Sequence, residues 1–452
     1  MNLADSDAMA VHLRRAGMQP TETREDADVI VLNTCTVRSQ VELKAFAYIG
    51  RLKPLKEKKP TLKIIVAGCA AERLGEKLRK KFPFVDHVVG AKNIESFSKL
   101  VDSSQMTDDS NAGTPSTVNR HPSTAVSVFV TIMRGCDNFC SYCIVPHVRG
   151  RETSRSSEDI LREAQALAKS GVKEITLLGQ NVNSYKAEYG IRDTPLLDFS
   201  HREKSIHSWA PLEEYRKQID FQGLLKLVSS IDGIERIRFT TNHPKDLSSA
   251  LIEAIASTEK LCKHIHLPLQ SGSDRILKAM NRGYTVADYL LLVTGLRKAI
   301  PSISLTTDIM VGFPGETEKD FNETVKLIET VAFNALFAYK YSPREGTAAF
   351  AFSDDIPRET KEARLDKVLK AANGISSKMN EGLLGTVFEV LVEKKEGTLC
   401  TSRTEGNTKV YFNTENTGIT AGSFVNVKIT EGRVTTLVGE EVNRIVEKSV
   451  TF

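Results

Sequence analysis

From residue 125 to residue 341, short apolar segments alternate with amphipathic stretches six times. The apolar segments have the length of strands and are rich in Val, Ile, Leu and Phe, which is typical of parallel strands buried on both faces. Six such units predict a curved parallel sheet, a partial or complete barrel, whose chemistry lies at the carboxyl ends of its strands. The six segments are AVSVFVTIM (125–133), EITLLGQ (174–180), RIRFTT (236–241), HIHLPLQ (264–270), SLTTDIMVGF (304–313) and ALFAYKY (335–341).

A second region with parallel-strand character precedes the barrel and carries two isolated cysteines. Residues 28–34 and 62–69 are short buried-strand patterns; Cys35 follows the first and Cys69 ends the second. Ligands of open α/β sheets bind at the carboxyl edge of the strands, so we expect both thiols at such an edge. The pattern predicts an open α/β domain over residues 1–100.

Three other segments complete the expected organisation. Residues 101–124 have almost no apolar side chains and many Ser, Thr, Asp and Pro, which is typical of a linker. A long polar stretch near 186–220, with the single tryptophan Trp209, predicts an insertion at the rim of the active site of a barrel spanning 125–380. Within 384–446, GTVFEVLVEKK, TKVYFNT and SFVNVKITEG are separated by Gly and Asn turns, which predicts a small antiparallel β-barrel.

Composition is that of an ordinary globular protein. The 452 residues include 40% hydrophobic and 26% charged side chains. No apolar run approaches the roughly 20 residues of a membrane-spanning helix, and the start lacks an export signal, so we expect a cytoplasmic protein. The net charge is only +4, but residues 1–100 carry 18 Lys and Arg against 12 Asp and Glu. That surplus suits an RNA-facing surface, and a solvated lysine-rich loop explains it equally well.

Three of the seven cysteines lie within eight residues, in MRGCDNFCSYCIVPHVRG. Cys136, Cys140 and Cys143 have three and then two residues between them and follow the first barrel strand. Three such thiolates can hold a cubane iron-sulfur cluster and leave its fourth iron open to a substrate or cofactor. The alternative is structural zinc with His147 as fourth ligand, although zinc sites usually take cysteines in pairs.

This spacing, with Tyr142 directly before the last cysteine, resembles the signature of the radical S-adenosylmethionine (SAM) superfamily. The resemblance implies a (β/α)6 partial barrel, a 4Fe-4S cluster whose open iron binds the amino and carboxylate groups of SAM, and a place for Tyr142 beside this cofactor. It also implies that an electron from the cluster cleaves SAM to a 5′-deoxyadenosyl radical. Such a radical can abstract a non-acidic hydrogen, which acid-base and nucleophilic catalysis do not activate.

Nearly the whole chain resembles the methylthiotransferase family, in which a cysteine-bearing α/β domain, a radical barrel and a TRAM domain, here 384–446, follow one another. YCIVPHVRGRETSR and LPLQSGSDRILKAMNRGYT are similar to the branch that methylthiolates carbon 2 of N6-isopentenyladenosine next to the anticodon of tRNA. The branch acting on threonylcarbamoyladenosine usually departs from GRETSR. The branch acting on a ribosomal-protein aspartate typically has Gln-His in place of Gln270 and Ser271. Both remain alternatives.

The family resemblance also implies an auxiliary 4Fe-4S cluster held by three cysteines of the first domain. Cys35 in LNTCTVR and Cys69 in VAGCAAER match two of them. The third normally lies in a GCQMN motif and would fall just ahead of Met1. A late translation start or a true loss would explain this, and we favour the first, because losing a strand would expose an apolar sheet edge. By themselves Cys35 and Cys69 read as small buried hydrophobic residues; Cys262 and Cys400 match no ligand motif.

Polar residues and a glycine at three strand ends are further candidates for contacts with SAM or with the entering nucleoside. Gln180 and Asn181 end TLLGQ and begin the next turn, and Gln270 and Ser271 lie in LPLQSGS. Gly312, in DIMVGFPGET, allows close approach of the backbone. For Gln180 and Asn181, amides that merely cap a loop are an equally good explanation.

Three arginines, Arg149, Arg151 and Arg155, follow the cysteine loop closely. They are candidates for phosphate contacts with the anticodon stem-loop. The alternative is a set of ion pairs with the acidic side chains between residues 152 and 159.

The leading hypothesis is an enzyme with two 4Fe-4S clusters that uses SAM as radical source and methyl donor. Its expected partners are tRNA, recognised at the anticodon stem-loop, an external electron donor such as a flavodoxin or ferredoxin, and a sulfur donor. We expect a monomer with no membrane contact. An RNA-binding protein with a structural metal site is the alternative of a different class.

Overall fold

The structure is a computed structural model and describes residues 1–36, 39–102, 125–190 and 216–442. Nearly all of the predicted linker at 101–124 and most of the predicted insertion near 186–220, with Trp209, lie outside the described residues. Among the helices that are described, none is long and apolar enough to cross a membrane.

The first domain is a three-stranded parallel sheet with helices around it. Its elements are α1 (Asn2–Arg15), β1 (Val29–Thr34), α2 (Ser39–Arg51), α3 (Lys53–Lys58), β2 (Lys63–Gly68), α4 (Cys69–Leu74), α5 (Glu76–Lys81), β3 (His87–Gly90) and α6 (Phe97–Asp102). The strand order is β1-β2-β3, with Val31 opposite Ile65 and Ile65 opposite His87. The two predicted strands are confirmed. Because the strands are parallel, β1 and β2 end at the same edge.

The second domain is built on six parallel strands in chain order. Its elements are β4 (Ser127–Thr131), β5 (Met133–Arg134), α7 (Val145–Arg149), β6 (Thr153–Ser154), α8 (Ser157–Lys169), β7 (Glu174–Leu178), β8 (Lys186–Gly190), β9 (Arg216–Asp220), α9 (Phe221–Ser229), β10 (Arg236–Thr240), α10 (Ser249–Ser257), β11 (His264–His266), α11 (Asp274–Ala279), α12 (Val286–Ala299), β12 (Ser304–Val311), α13 (Glu318–Val331), β13 (Ala335–Lys340) and α14 (Arg358–Glu381).

Two three-stranded sheets, β4-β7-β10 and β11-β12-β13, form this barrel, and a parallel bridge between Ile237 and Leu261 joins them. The predicted mixed α/β fold and its six strands are confirmed. Strand β11 is shorter than predicted, because Pro268 has no N–H with which to continue the ladder. Aliphatic side chains of the strands and of the helices around them fill one continuous core.

The third domain is a closed barrel of five short strands. They are β14 (Val387–Glu396), β15 (Leu399–Thr404), β16 (Lys409–Asn413), β17 (Phe424–Gly432) and β18 (Thr436–Glu441), in the order β14-β15-β16-β18-β17. Arg236, at the start of β10, donates to the carbonyl oxygens of Glu389 at 2.9 Å and of Arg403 at 3.0 Å. The small barrel therefore covers the amino-terminal ends of the second domain's strands.

Buried ion pairs attach the first domain to the cysteine loop of the second. The carboxylate of Asp5, on α1, accepts hydrogen bonds from Arg134 at 2.8 Å and from Arg149 at 2.7 Å. Burial works against the charge of Asp5, yet the two guanidinium groups hold its pKa below the usual value. Arg134 precedes the cysteine loop and Arg149 follows it, so Asp5 fixes both ends of the loop.

We predict that Asp5→Ala destabilises the protein by about 3–5 kcal/mol at neutral pH, because it leaves two guanidinium groups without their buried counter-ion. Since the pKa of Asp5 is lowered by folding, its contribution is present above the unfolded pKa and is lost as the pH falls through the folded value. Urea unfolding at several pH values measures both effects.

The matched control is Asp7→Ala on the same helix, since Asp7 forms no ion pair with any described residue. Equal destabilisation by the two substitutions would show that the ion pairs of Asp5 do not contribute to the free energy of unfolding.

Candidate functional site

The loop that carries Cys136, Cys140 and Cys143 leaves β5 and is fixed to α11. Asn281 donates to the carbonyl oxygen of Phe139 at 3.0 Å. The backbone N–H of Ser141 donates to the carbonyl oxygen of Met280 at 2.9 Å. Phe139 has φ +47, and Gly135 has φ +76 with no room for a Cβ, which would lie 2.0 Å from the carbonyl oxygen of Arg151. These constraints give the loop one conformation.

Cys140 is buried between two nitrogen donors. Arg282 Nη1 lies 3.2 Å from its sulfur, and His243 Nε2 lies 3.9 Å from it. Burial lowers the pKa of His243 to about 2, so its ring is neutral. Neither residue was singled out from the sequence. Arg282 lies in the quoted segment LPLQSGSDRILKAMNRGYT, but no pattern in it marks one arginine as a partner of a cysteine 142 positions away.

The three thiols fit a cluster better than a closed zinc site. His147, the predicted fourth zinc ligand, is exposed on α7, whereas Cys140 is buried. Within the described ranges, no three His, Cys, Asp or Glu side chains are grouped as ligands of a single metal ion. Burial and then the charge of Cys140 raise the pKa of Cys143 to about 12. The thiols of the loop are therefore close enough to interact with one another, and bound iron would displace their protons.

Two predicted cofactor contacts, Gln180 and Asn181, lie at the carboxyl end of β7. Asn181 is buried and donates from Nδ2 to Asp246 at 2.7 Å. Its Oδ1 and the Oε1 of Gln180 are buried acceptors with no hydrogen-bond partner among the described residues. Two unmatched acceptors at one strand end suit a ligand that donates hydrogen bonds, such as an ammonium group.

The other predicted contacts divide between the barrel interior and its wall. Gln270 is buried, with φ +73, and accepts a hydrogen bond from Tyr339 at 2.8 Å. The hydroxyl of Ser271 is fully buried against Thr324 of α13 at 3.4 Å. The backbone N–H of Gly312 donates to Glu316 at 2.7 Å. Ser271 and Gly312 thus connect elements of the barrel wall, whereas the side chain of Gln270 lies in the barrel interior.

Tyr142 packs beside the same interior. It lies against the buried cluster that contains Met280 and Met310, and its hydroxyl accepts from Arg282 Nη1 at 3.4 Å. Burial raises its pKa well above the usual value, so the phenol is neutral. Tyr142 therefore lies between the cysteine loop and this buried cluster, and its predicted contact with SAM stays a prediction.

The three arginines after the loop differ in exposure. Arg149 is buried with Asp5, and Arg155 donates to Glu163 at 2.8 Å. The side chain of Arg151 is 75% exposed, lies over the ring of Phe139 and pairs with Asp137 at 2.9 Å. None of these pairs involves the acids that follow in the sequence between 152 and 159.

Cys35 and Cys69 meet at the carboxyl edge of the first domain's sheet, and this edge faces the cysteine loop. Cys69 is buried in one apolar cluster with Ile144, the residue after Cys143. Arg149 donates a hydrogen bond to Cys69. The two cysteine sites are therefore neighbours across the domain boundary.

A second buried guanidinium lies on the Cys35 side of this edge. Arg344, just after β13, has Nη1 3.9 Å from Glu42, and its electrostatic neighbours include Cys35. Arg344 Nη2 and Arg149 Nη1 are buried donors with no partner among the described residues. Unpaired cationic donors, one near Cys35 and one near Cys69, fit an anionic group at this edge.

A cavity of about 740 Å³ opens between the barrel interior and the third domain. His266, Asp308 and Phe337 line its inner end, and Lys409 and Tyr411 line its outer end. The ring of Phe337 is half-exposed in it, packed edge-to-face on His266, which lies 3.4 Å from Asp308. Phe337 and Tyr339 share one face of β13, so the cavity ends one layer away from Gln270.

Comparison with known proteins agrees with this organisation. Residues 130–328 match the model of the radical SAM superfamily, and residues 1–90 match that of the uncharacterized protein family UPF0004. The chain is 42% identical over 442 residues to the tRNA-2-methylthio-N(6)-dimethylallyladenosine synthase of Endomicrobium trichonymphae, covering 98% of this chain and 97% of that protein. It is 43% identical to the protein of that name from Citrifermentans bemidjiense, covering 98% and 96%.

Among solved structures, the fold is similar to that of the radical SAM methyltransferase TsrM from Kitasatospora setae. The TM-score is 0.53 with 12% identity, over 89% of this chain and 78% of that one. At this identity the likeness concerns the fold alone.

We predict that Cys140→Ala lowers the iron bound after anaerobic reconstitution by about four atoms per chain, because it removes the buried ligand of the loop. Iron and acid-labile sulfide analysis, with the visible absorption, measures the loss. Cys262→Ala is the control, since Cys262 is also buried but lies outside the loop. Unchanged iron content in Cys140→Ala would contradict the site.

Proposed function

Because this chain belongs to the family of tRNA-2-methylthio-N6-dimethylallyladenosine synthases, within the radical SAM superfamily, we propose that it replaces the hydrogen on carbon 2 of N6-dimethylallyladenosine in tRNA by a methylthio group. This nucleoside is the N6-isopentenyladenosine considered above. The observation that carries the proposal is the full-length relationship, together with three cysteines on one ordered loop at the mouth of a parallel barrel.

Membership of the superfamily implies a 4Fe-4S cluster and SAM. We assign the cluster to Cys136, Cys140 and Cys143. When bound, this pair of groups supplies a carbon radical able to abstract a hydrogen that no base removes. Gln180 and Asn181 would hold the amino group of SAM through their unmatched oxygens, and Tyr142 would pack beside it.

The cavity is the proposed site of the target nucleoside. An exposed aromatic ring inside a protein is a stacking platform for an unpaired base, and Phe337 has this position. The carboxylate of Asp308 is available to accept from a hydroxyl or N–H of the nucleoside. Lys409 at the outer end, and the exposed Arg151 near the loop, would contact phosphates.

We predict that Phe337→Ala raises the KM for tRNA about tenfold, since base stacking on an aromatic ring contributes about 1–3 kcal/mol. Steady-state kinetics with the modified nucleoside quantified by mass spectrometry measures it. Tyr48→Ala, which removes a partly exposed aromatic ring of the first domain, serves as the control. The same KM in both variants would move the nucleoside site elsewhere.

A second cluster is the finer part of the proposal. Cys35 and Cys69 lie together at a strand edge, next to the loop cysteines, with two unpaired guanidinium donors around them. This environment suits an anionic iron-sulfur group that carries the sulfur to be inserted. Cys35 and Cys69 would be two of its ligands.

We predict that Cys69→Ala keeps the reductive cleavage of SAM to 5′-deoxyadenosine but makes the methylthiolated nucleoside fall below a few per cent of wild type, because only the sulfur-supplying site is lost. Chromatographic assay of both products in one reaction separates the two steps. Cys400→Ala, a buried thiol of the third domain, is the control. Full methylthiolation by Cys69→Ala would rule out the auxiliary site.

The remaining parts of the proposal concern partners and organisation. We propose an external electron donor such as a flavodoxin or ferredoxin, a sulfur donor, a cytoplasmic location and a monomeric state. The closed third domain would be a TRAM domain that binds the anticodon stem-loop. Nucleoside analysis of tRNA from a strain lacking the gene tests the substrate, because loss of methylthio-dimethylallyladenosine alone is expected.

A further inference from the structure

Arg282 is a buried cation whose counter-charge is not a carboxylate. The residue is only 4% exposed, and it forms no ion pair with any Asp or Glu in the described part of the chain. Its neutral partners are the carbonyl oxygen of Pro268, at 2.9 Å from Nη2, and the hydroxyl of Tyr284, at 3.0 Å from Nε. A guanidinium group at this depth requires an anion nearby.

The one thiol that Arg282 contacts at hydrogen-bond distance among the described residues is that of Cys140, 3.2 Å from Nη1; its other side-chain partners are the phenols of Tyr142 and Tyr284. A neutral thiol would leave the guanidinium uncompensated, whereas a metal-bound thiolate supplies the missing charge. The carbonyl oxygen of Pro268, just after β11, therefore holds the guanidinium group of Arg282 in place beside the sulfur of Cys140.

We propose that Arg282 is a positioning residue that makes the cluster held by Cys140 easier to reduce, with His243 as a second hydrogen-bond donor to the same sulfur. This inference rests on the proposed function, because it takes Cys140 as a cluster ligand. Each added electron increases the negative charge on the cluster and its thiolates. A fixed cation and N–H donors at a thiolate favour the reduced form.

The ring of His243 is oriented for this role by its surroundings. Its Nδ1 accepts a hydrogen bond from the backbone N–H of Lys245 at 3.3 Å, which leaves the proton on Nε2, toward Cys140. Asn183 holds the backbone on both sides of the residue, accepting from the N–H and donating to the carbonyl oxygen of His243, each at 3.1 Å. The ring also packs edge-on against Tyr284, the partner of Arg282.

The test is a redox titration of the reconstituted full chain, followed by electron paramagnetic resonance, in a Cys69→Ala background so that the loop cluster alone contributes. We expect Arg282→Gln to lower the equilibrium constant for one-electron reduction about tenfold, a shift of 59 mV. Arg282→Lys keeps the positive charge, so its midpoint potential should lie close to that of the chain with Arg282. His243→Leu should shift the midpoint in the same direction by a smaller amount.

The matched control is Arg297→Gln, since Arg297 donates to the carbonyl oxygens of Val331 and Ala332 on the outer helices. The proposal is overturned if Arg282→Gln and the control have the same midpoint potential. It is also overturned if Arg282→Lys shifts the midpoint potential as much as Arg282→Gln does. If Arg282→Gln binds no iron, the midpoint potentials of Arg282→Lys and His243→Leu are compared with that of the control instead. Equality of all three overturns the proposal.

Two further readouts separate the competing explanations. Weaker SAM binding by Arg282→Gln at an unchanged midpoint would make Arg282 a ligand of SAM and overturn the inference. Absence of any iron-sulfur signal in the parent chain would instead reject the proposed function itself.

Discussion

The architecture around the cysteine loop depends on buried positive charge. Arg134 and Arg149 are held by Asp5 at the two ends of the loop, and Arg282 approaches its middle with no carboxylate partner among the described residues. Charge is buried in proteins only where an opposite charge compensates it. The first two arginines find that charge in Asp5, and under the proposal above the third would find it at Cys140 once a cluster is bound. The loop would then receive an anionic group into a site that already contains its counter-ion.

The same interactions explain why the domains are arranged as they are. Arg149 contacts Asp5 and Cys69 from the helix that follows the loop, so one side chain connects both cysteine sites. At the opposite end of the barrel, Arg238 joins Glu174 to the backbone of the third domain. Each domain boundary is therefore made by arginines whose donors bridge a carboxylate and a partner in the other domain, which fixes relative orientation more specifically than apolar contact does.

Local patterns in the sequence predicted the six barrel strands and two strands of the first domain, because strand periodicity is a property of consecutive residues, and close spacing marked the three loop cysteines as candidate ligands. They were insufficient for α1, whose Asp5 acts on arginines more than 100 positions away, and for β15 and β18, whose polar alternation is weak. Arg282, His243 and Phe337 were missed for the same reason. Their roles come from partners that only the closed barrel brings near, and a single basic or aromatic residue carries no sign of such a partner.

The separation between the cysteines and the cavity has a chemical consequence. Gln270 and Tyr339 form a hydrogen-bonded layer between the loop and the level of Phe337 and Asp308. A nucleoside stacked on Phe337 would approach this layer from the third domain, whereas SAM would approach it from the loop. A reactive radical must meet its target without diffusing through water, and two ligands that enter a dry barrel from opposite ends meet only inside it. Because Cys69 packs against the residue after Cys143, the edge that carries Cys69 lies on the loop side of that layer, where the proposed auxiliary cluster would be. Sulfur insertion would then follow hydrogen abstraction at the same edge of the base, where the C2–H bond lies in the ring plane, without rotation of the nucleoside between the two steps.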